Sequence, residues 1–302
     1  MKLQIKGLTL LSLALTAAPA LFLMGCVPTV VEVGNSGTTV ESTNAVCDPF
    51  GLAAAYGGRT NGLAAKLFYS PTGSPHLQTA ASYPLQATPV DADLYFNQVN
   101  VPTRPYDSPF VSTTGRTIVN DQGEGFYEWF GIQMSSQIQL SDTDAPGLYQ
   151  FAVLADDGAV LEVKQDPSNG QFETIVDNDG THSTRMGCAR SAVRMDYTTR
   201  MPMKLAYYQG PRYHIAIMLL WRQVPDTGNA QDLAASLQDS ACGQSGNGMF
   251  FDSAQKPPRP TQTYLDMINR GWKVMRPGNF ILPNGAENPC VGTGLPGGAA
   301  AA

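Results

Sequence analysis

Two adjacent carboxylates, Asp156 and Asp157, followed by Gly158, are the residues of this 302-residue chain most suited to chemistry. Side by side at a turn they repel one another unless water, backbone N–H groups or a cation offsets the charge, and an oxygen-rich loop of this kind suits calcium. Further along, Asp177-Asn178-Asp179-Gly180 forms a second such cluster, from which Asn178 or Asp179 could add oxygens to the same ion. A second reading needs no metal, because Asp and Asn bond their own backbone two residues on, and both clusters then serve as capped turns. Enzyme signatures are missing. There are three histidines, His76, His182 and His214, and no His-Glu-x-x-His, Gly-x-Ser-x-Gly or phosphate-binding glycine loop. His214 falls within a strand pattern and reads as a half-buried sheet residue, and His182 sits in a polar loop beside Asp179 and Arg185. The chain therefore reads as noncatalytic.

The cysteines carry the next layer of chemistry. Lys2 and Lys6 precede an apolar stretch from Leu8 to Leu23 that Pro19 interrupts, and Leu23-Met24-Gly25-Cys26 follows. The stretch is shorter than the ~20 apolar residues of a spanning helix. This order resembles the lipobox of bacterial lipoproteins, which implies a signal peptide over 1–25, a lipidated Cys26 and anchorage in a membrane. Several acyl chains on one residue anchor stably where a single chain does not. Val27 follows Cys26 where an aspartate would direct retention, which implies the outer membrane under enterobacterial-type sorting. Cys47, Cys188, Cys242 and Cys290 remain, an even number in a chain exported to an oxidising space, and two disulfides are expected. Sequence leaves three pairings open. Cys47 opens the globular region and Cys290 closes it, so a bridge between them is favoured, with Cys188 and Cys242 as the other pair. A zinc site would need closer Cys/His spacing.

Charge narrows the partners. The chain has 19 Lys+Arg against 25 Asp+Glu, and without Lys2 and Lys6 the mature protein carries about −8. Phosphate backbones and anionic lipid surfaces require clustered positive charge, and no Lys/Arg run is present. Nucleic acid is excluded as a partner on this ground.

The elements that must position these residues read as β-structure. Residues 26–46 combine the lipidated cysteine with a Val/Thr/Ser/Gly-rich tether, whose twenty residues after Cys26 span about 25 Å as a flexible chain. The tail over 291–302 is glycine-rich, ends in four alanines and reads as disordered. Between them, strands are expected over Ala64–Tyr69, Gly125–Ile132, Ser136–Leu140, Gly147–Leu154 and Ala159–Val163, the last two forming a hairpin around the Asp-Gly turn. Met203–Tyr208 and Tyr213–Trp221 form a second expected hairpin, with Tyr213, Ile215, Ile217, Leu219 and Trp221 on one face. Beyond Pro225, over 226–290, short helices are expected at Ala230–Gln238 and Thr263–Arg270, the latter ended by Gly271, in an extension that packs back on the strands.

The order of these features carries a more specific resemblance. A Gly147-x-Tyr149-x-Phe151 strand, then Asp156-Asp157-Gly158-x-x-Leu161, then Asp177-Asn178-Asp179-Gly180, then Tyr207-Tyr208 and Leu220-Trp221, resembles the protective-antigen-type (PA-fourteen) β-sandwich domain over 47–225. Phe130-Gly131 stands where many members have a tryptophan before the glycine. The resemblance implies an all-β antiparallel sandwich with a short helical C-terminal extension. It also implies an adhesion or binding role: in flocculin-like members a matching Asp-Asp pair, joined by a cis peptide, holds calcium that binds sugar hydroxyls. Those members add an asparagine from a later loop, which here is Gln209-Gly210-Pro211, making Gln209 the corresponding ligand-binding candidate beside Asp156 and Asp157. The expected function is that of a lipid-anchored envelope protein binding carbohydrate or another surface component. The alternative is a structural or assembly lipoprotein that contacts an envelope protein and recognises neither sugar nor metal.

Overall fold

The computed structural model describes residues 44–51, 58–166, 168 and 170–291. The leader, Cys26, most of the expected tether and the tail beyond Val291 lie outside the described residues. Chain order gives β1 (Ala45–Cys47), β2 (Leu63–Tyr69), β3 (Thr88–Phe96), β4 (Asn100–Pro105), β5 (Phe130–Ile138), β6 (Gly147–Asp156), β7 (Ala159–Val163) and β8 (Glu173–Asn178). These are followed by β9 (Arg185–Cys188), β10 (Val193–Met195), β11 (Met201–Gln209) and β12 (His214–Val224), then by the short β13 (Phe251–Asp252), β14 (Arg259–Pro260), β15 (Lys273–Val274) and β16 (Phe280–Ile281). Three short helices, α1 (Tyr83–Gln86), α2 (Ala230–Ser236) and α3 (Gln262–Asn269), complete the described elements apart from single 3-10 turns.

One sheet runs β1-β3-β2-β5-β11-β7-β8 with β16 joining β5, and the other runs β10-β6-β12-β15 with β4 joining β12 and β9 joining β6. Every described pairing is antiparallel except β1 with β3. Ala45 and Val46, expected in the tether, are thus already in a sheet. The fold is an all-β sandwich, as the alternation of apolar residues requires.

Period-two alternation explains both faces of the second sheet. Phe151, Val153 and Ala155 of β6 and Ile215, Ile217, Leu219 and Trp221 of β12 meet Leu67, Ile132, Met134, Leu161 and Leu205 of the first sheet in the main core. Their neighbours Ala152, Leu154, Met218 and Leu220 face the other way and pack on Phe250, Phe251, Met267 and Trp272 of the C-terminal segment. Strands buried on both faces read as continuous apolar runs, and β6 and β12 do so. The C-terminal segment is therefore a third layer. It also supplies β15 to one sheet and β16 to the other.

Four expectations change. Asp156-Asp157-Gly158 does not close a hairpin: β6 pairs with β9, β10 and β12 in one sheet, and β7 pairs with β8 and β11 in the other. The chain crosses the sandwich there. Gln209-Gly210-Pro211-Arg212 likewise joins β11 of the first sheet to β12 of the second. Tyr213 lies outside β12 and is 76% exposed, so the shared face begins at Ile215. The two strands expected over Gly125–Ile132 and Ser136–Leu140 are instead the single β5. It runs through Ser136, whose buried hydroxyl lies 2.9 Å from the carbonyl oxygens of Gly62 and Ile281.

Disulfides join Cys47 to Cys290 and Cys188 to Cys242, with Cα separations of 5.7 and 5.6 Å. The first clasps β1 to the end of the C-terminal segment; the second ties β9 to the loop after α2. Two such bridges mark a chain folded in an oxidising compartment. Among the described residues no helix is long and apolar enough to cross a membrane.

Candidate functional site

Asp156 ends β6, and Asp157 begins the crossing to β7 through a cis peptide. Because the crossing turns sharply between sheets, both side chains are carried inward, and the residues are only 5% and 3% exposed. Asp157 spans two crossings: its Oδ2 accepts the Gly210 N–H at 2.8 Å and its Oδ1 accepts the His182 N–H at 3.0 Å. Asp156 Oδ2 accepts the N–H and hydroxyl of Thr184 at 3.1 and 3.2 Å. Its Oδ1 accepts no hydrogen bond among the described residues, and neither acid forms a salt bridge there.

Close approach fixes the two glycines. A side chain at Gly210 would bring its Cβ to 2.8 Å from Asp157 Oδ2, and one at Gly158 to 2.5 Å from Asp179 Oδ1 and 2.9 Å from the Gly180 nitrogen. Tyr207, beneath the corner, places its hydroxyl 2.7 Å from both the Asp156 carbonyl and Gln209 Oε1.

Two buried acids without a salt bridge are costly to ionise together. Burial, then the neighbouring Asp157 charge, pushes the Asp156 carboxyl up to about 7. Burial also raises Asp157, opposed by the Gly210 and His182 N–H groups and by the charge of the His182 ring. The corner is thus an electronegative well of hard oxygens, suited to a hard cation.

The other candidates are engaged elsewhere. Asn178 donates to the Val153 and Arg185 carbonyls and accepts Arg185 Nε at 2.7 Å. Asp179 turns its carboxylate to the Ala80, Ala81 and Gly180 N–H groups, capping the turn before α1. Gln209 is fully buried, donating to the His214 carbonyl. Its side chain holds the second crossing, between the Tyr207 hydroxyl and the His214 carbonyl. No cluster of three or more His, Cys, Asp or Glu able to hold a metal occurs among the described residues.

Sequence reasoning missed Thr184, Gly210 and Asn247, whose Oδ1 lies 3.0 Å from the Thr184 nitrogen and whose amide meets His214 Nδ1 at 3.1 Å. They come from three separate loops, and no local pattern links them. His214 is a half-buried residue at the start of β12.

No protein-family model matches the chain, and comparison with curated proteins finds no match. Among solved structures, the chain is similar to the PA14 domain of the MpAFP antifreeze protein (15% identity, 64% of this chain and 98% of that one, TM-score 0.39). It is similar to a PA14 sugar-binding domain from an RTX adhesin (18% identity, 57% and 93%, TM-score 0.35). It is also similar to the Epithelial Adhesin 6 A domain from Candida glabrata in complex with Galb1-3GlcNAc (16% identity, 66% and 96%, TM-score 0.37).

Proposed function

We propose that this chain is a noncatalytic, lipid-anchored module of the cell envelope, placed in the outer membrane, that binds carbohydrate beside a calcium ion held by Asp156 and Asp157. The observation that carries the reading is the buried acid pair with no salt bridge to it among the described residues. The donor set fits calcium: each carboxylate oxygen has two acceptor positions, and Asp156 Oδ1 has both. Calcium takes six to eight oxygens, so two carboxylates leave positions for backbone carbonyls, waters and ligand hydroxyls. When bound, the ion would neutralise the pair and polarise hydroxyl oxygens. An exposure of a few per cent admits an ion but not a sugar ring, which must sit alongside.

A second reading is favoured by the same hydrogen bonds. Asp157 already ties Gly210 to His182, so the pair could be a structural bolt between two crossings, in a protein that contacts an envelope protein partner. A glycan array probed with the purified protein separates the two. Binding to a subset of glycans that is lost in excess chelator supports the proposal, whereas no binding in millimolar calcium supports the bolt. Anchorage is tested separately: Cys26→Ala should move the protein from the detergent to the aqueous phase with its melting temperature unchanged. Full retention in detergent would refute the anchor.

A further inference from the structure

Beside the acid pair lies a groove of about 650 Å³, lined by Tyr69, His76, Glu124, Tyr127, Trp129 and Arg212 among others. We infer that this groove seats a pyranose ring, and that His76 covers the face of Trp129 until a sugar displaces it. The inference rests on the carbohydrate reading above, but it does not require the calcium ion.

Position is the first argument. Trp129 donates its backbone N–H to the Gly210 carbonyl at 3.3 Å, and the Gly210 N–H donates to Asp157 at 2.8 Å. One residue therefore separates the groove wall from the acid pair. The volume is that of a small-ligand site, roughly 300–1,000 Å³.

Chemistry is the second. A sugar presents C–H faces to aromatic rings and hydroxyls to planar polar groups, and the groove offers both. Arg212 lies with its guanidinium 4.6 Å from the Tyr127 ring centre, and its backbone N–H donates to Glu128 Oε2 at 3.2 Å. The groove also contains Glu124 and Glu128, with Arg212 as its only Lys or Arg, which disfavours a phosphate polymer.

The third argument is the stack itself. His76 is exposed, makes no hydrogen bond among the described residues, and lies on Trp129 with ring centres 4.1 Å apart and planes 15° from parallel. A solvent-exposed ring held by stacking alone shows that this face of the indole is open to a flat ring of similar size. Trp129 is half-buried at a φ of 58°, a left-handed backbone conformation unfavourable to a bulky residue. The backbone strain holds an aromatic face at a groove wall.

Trp221 and Trp272 are fully buried, so Trp129 is the one of the three tryptophans in reach of a ligand and reports on the groove by its fluorescence. The full chain is titrated with the methyl glycosides of glucose, galactose, mannose and N-acetylglucosamine, in calcium and in chelator. At least one should shift the emission. His76→Ala should then tighten that dissociation constant several-fold, and Trp129→Ala and Glu128→Gln should each weaken it at least tenfold by calorimetry. Should Trp129→Ala fail to fold, the His76 and Glu128 variants decide alone. If Asp156→Asn with Asp157→Asn abolishes binding while the groove variants leave it unchanged, the sugar sits on the ion alone and the groove inference is overturned. If no glycoside binds although calcium raises the melting temperature, the groove is not a sugar seat and the calcium reading survives. If neither response is seen, both fail.

Discussion

Replacing Cys47 and Cys290 together by serine should lower stability by about 5 kcal/mol, the chain-entropy value for a loop of sequence separation 243. Replacing Cys188 and Cys242 opens a loop of separation 54 and should cost about 4 kcal/mol. The ordering follows from loop length. For a domain of this size the first pair corresponds to a fall in melting temperature of roughly 10–20 °C. Native-state geometry points the same way: β1 has three residues at a sheet edge, and the bridge fastens it to the last turn of the C-terminal segment. Calorimetry of the two double variants decides. A larger loss from the Cys188/Cys242 pair, or none from either, would overturn the assignment of the long bridge as the main covalent tie.

Asp239→Ala should cost about 3–5 kcal/mol, the range for removing one partner of a buried ion pair. The Asp239 side chain is fully buried and accepts both Arg270 Nε and Nη2 at 2.9 and 2.8 Å, Arg222 Nη1 at 3.1 Å, the Trp272 indole N–H at 3.1 Å and the Ala241 N–H at 2.9 Å. Arg222 lies on β12 with its side chain 9% exposed, so the substitution leaves a guanidinium buried without its carboxylate. Asp93→Ala, which removes an exposed pair with Lys66, should change stability by under about 1 kcal/mol. Burial alone would raise the Asp239 carboxyl, but the Arg270 hydrogen bonds and the Ala241 and Trp272 N–H groups outweigh it and hold the group at about 2. Its folded value lies below the unfolded one, so this stability is present above about pH 4 and is lost as pH falls through 2. The Asp239→Ala protein should lack that portion of the acid transition.

Legibility in the sequence divides along physical lines. Local signals held: β2, β6, β7, β11 and β12 appear close to their expected places, and α2 and α3 lie within a residue or two of the apolar pattern that marked them. Partner choice did not hold. An Asp-Gly turn between apolar strands signals a reversal, yet nothing local distinguishes a hairpin from a crossing between sheets, because β7 takes β8 and β11 of the other sheet as partners and not β6. Gln133, Met134 and Ser135 separate two expected strands, yet β5 runs through them, and the carbonyls that satisfy the neighbouring Ser136 come from Gly62 and Ile281. At the site, Asp156 and Asp157 were legible as adjacent acids at a turn. Asn178 and Asp179 were of the right chemistry, but Arg185 and the turn at Ala80 claim their side chains. The partners that do meet the acids, Thr184 and Gly210, are visible only once the loops are folded together.

The central claim is that the corner of Asp156 and Asp157 holds a cation, and a melting curve in calcium against chelator tests it most directly. An ion bound by the folded chain alone, at a hundredfold above its dissociation constant, stabilises by about 2.7 kcal/mol, or roughly 5–10 °C here. The pH matters. The Asp156 carboxyl stands at about 7, above its unfolded value, so without metal its contribution is present below about pH 4 and is lost as pH rises through 7. Calcium binds the ionised pair, so its effect should be larger at pH 8 than at pH 6. Asp156→Asn with Asp157→Asn removes both charges, keeps one acceptor oxygen on each side chain, for Thr184 and for one of the two donors to Asp157, and should abolish the response. The account predicts a parent protein that melts several degrees higher in millimolar calcium than in excess chelator at pH 8, and a double variant that melts at the same temperature in both. A parent protein with identical melting curves in the two would contradict it.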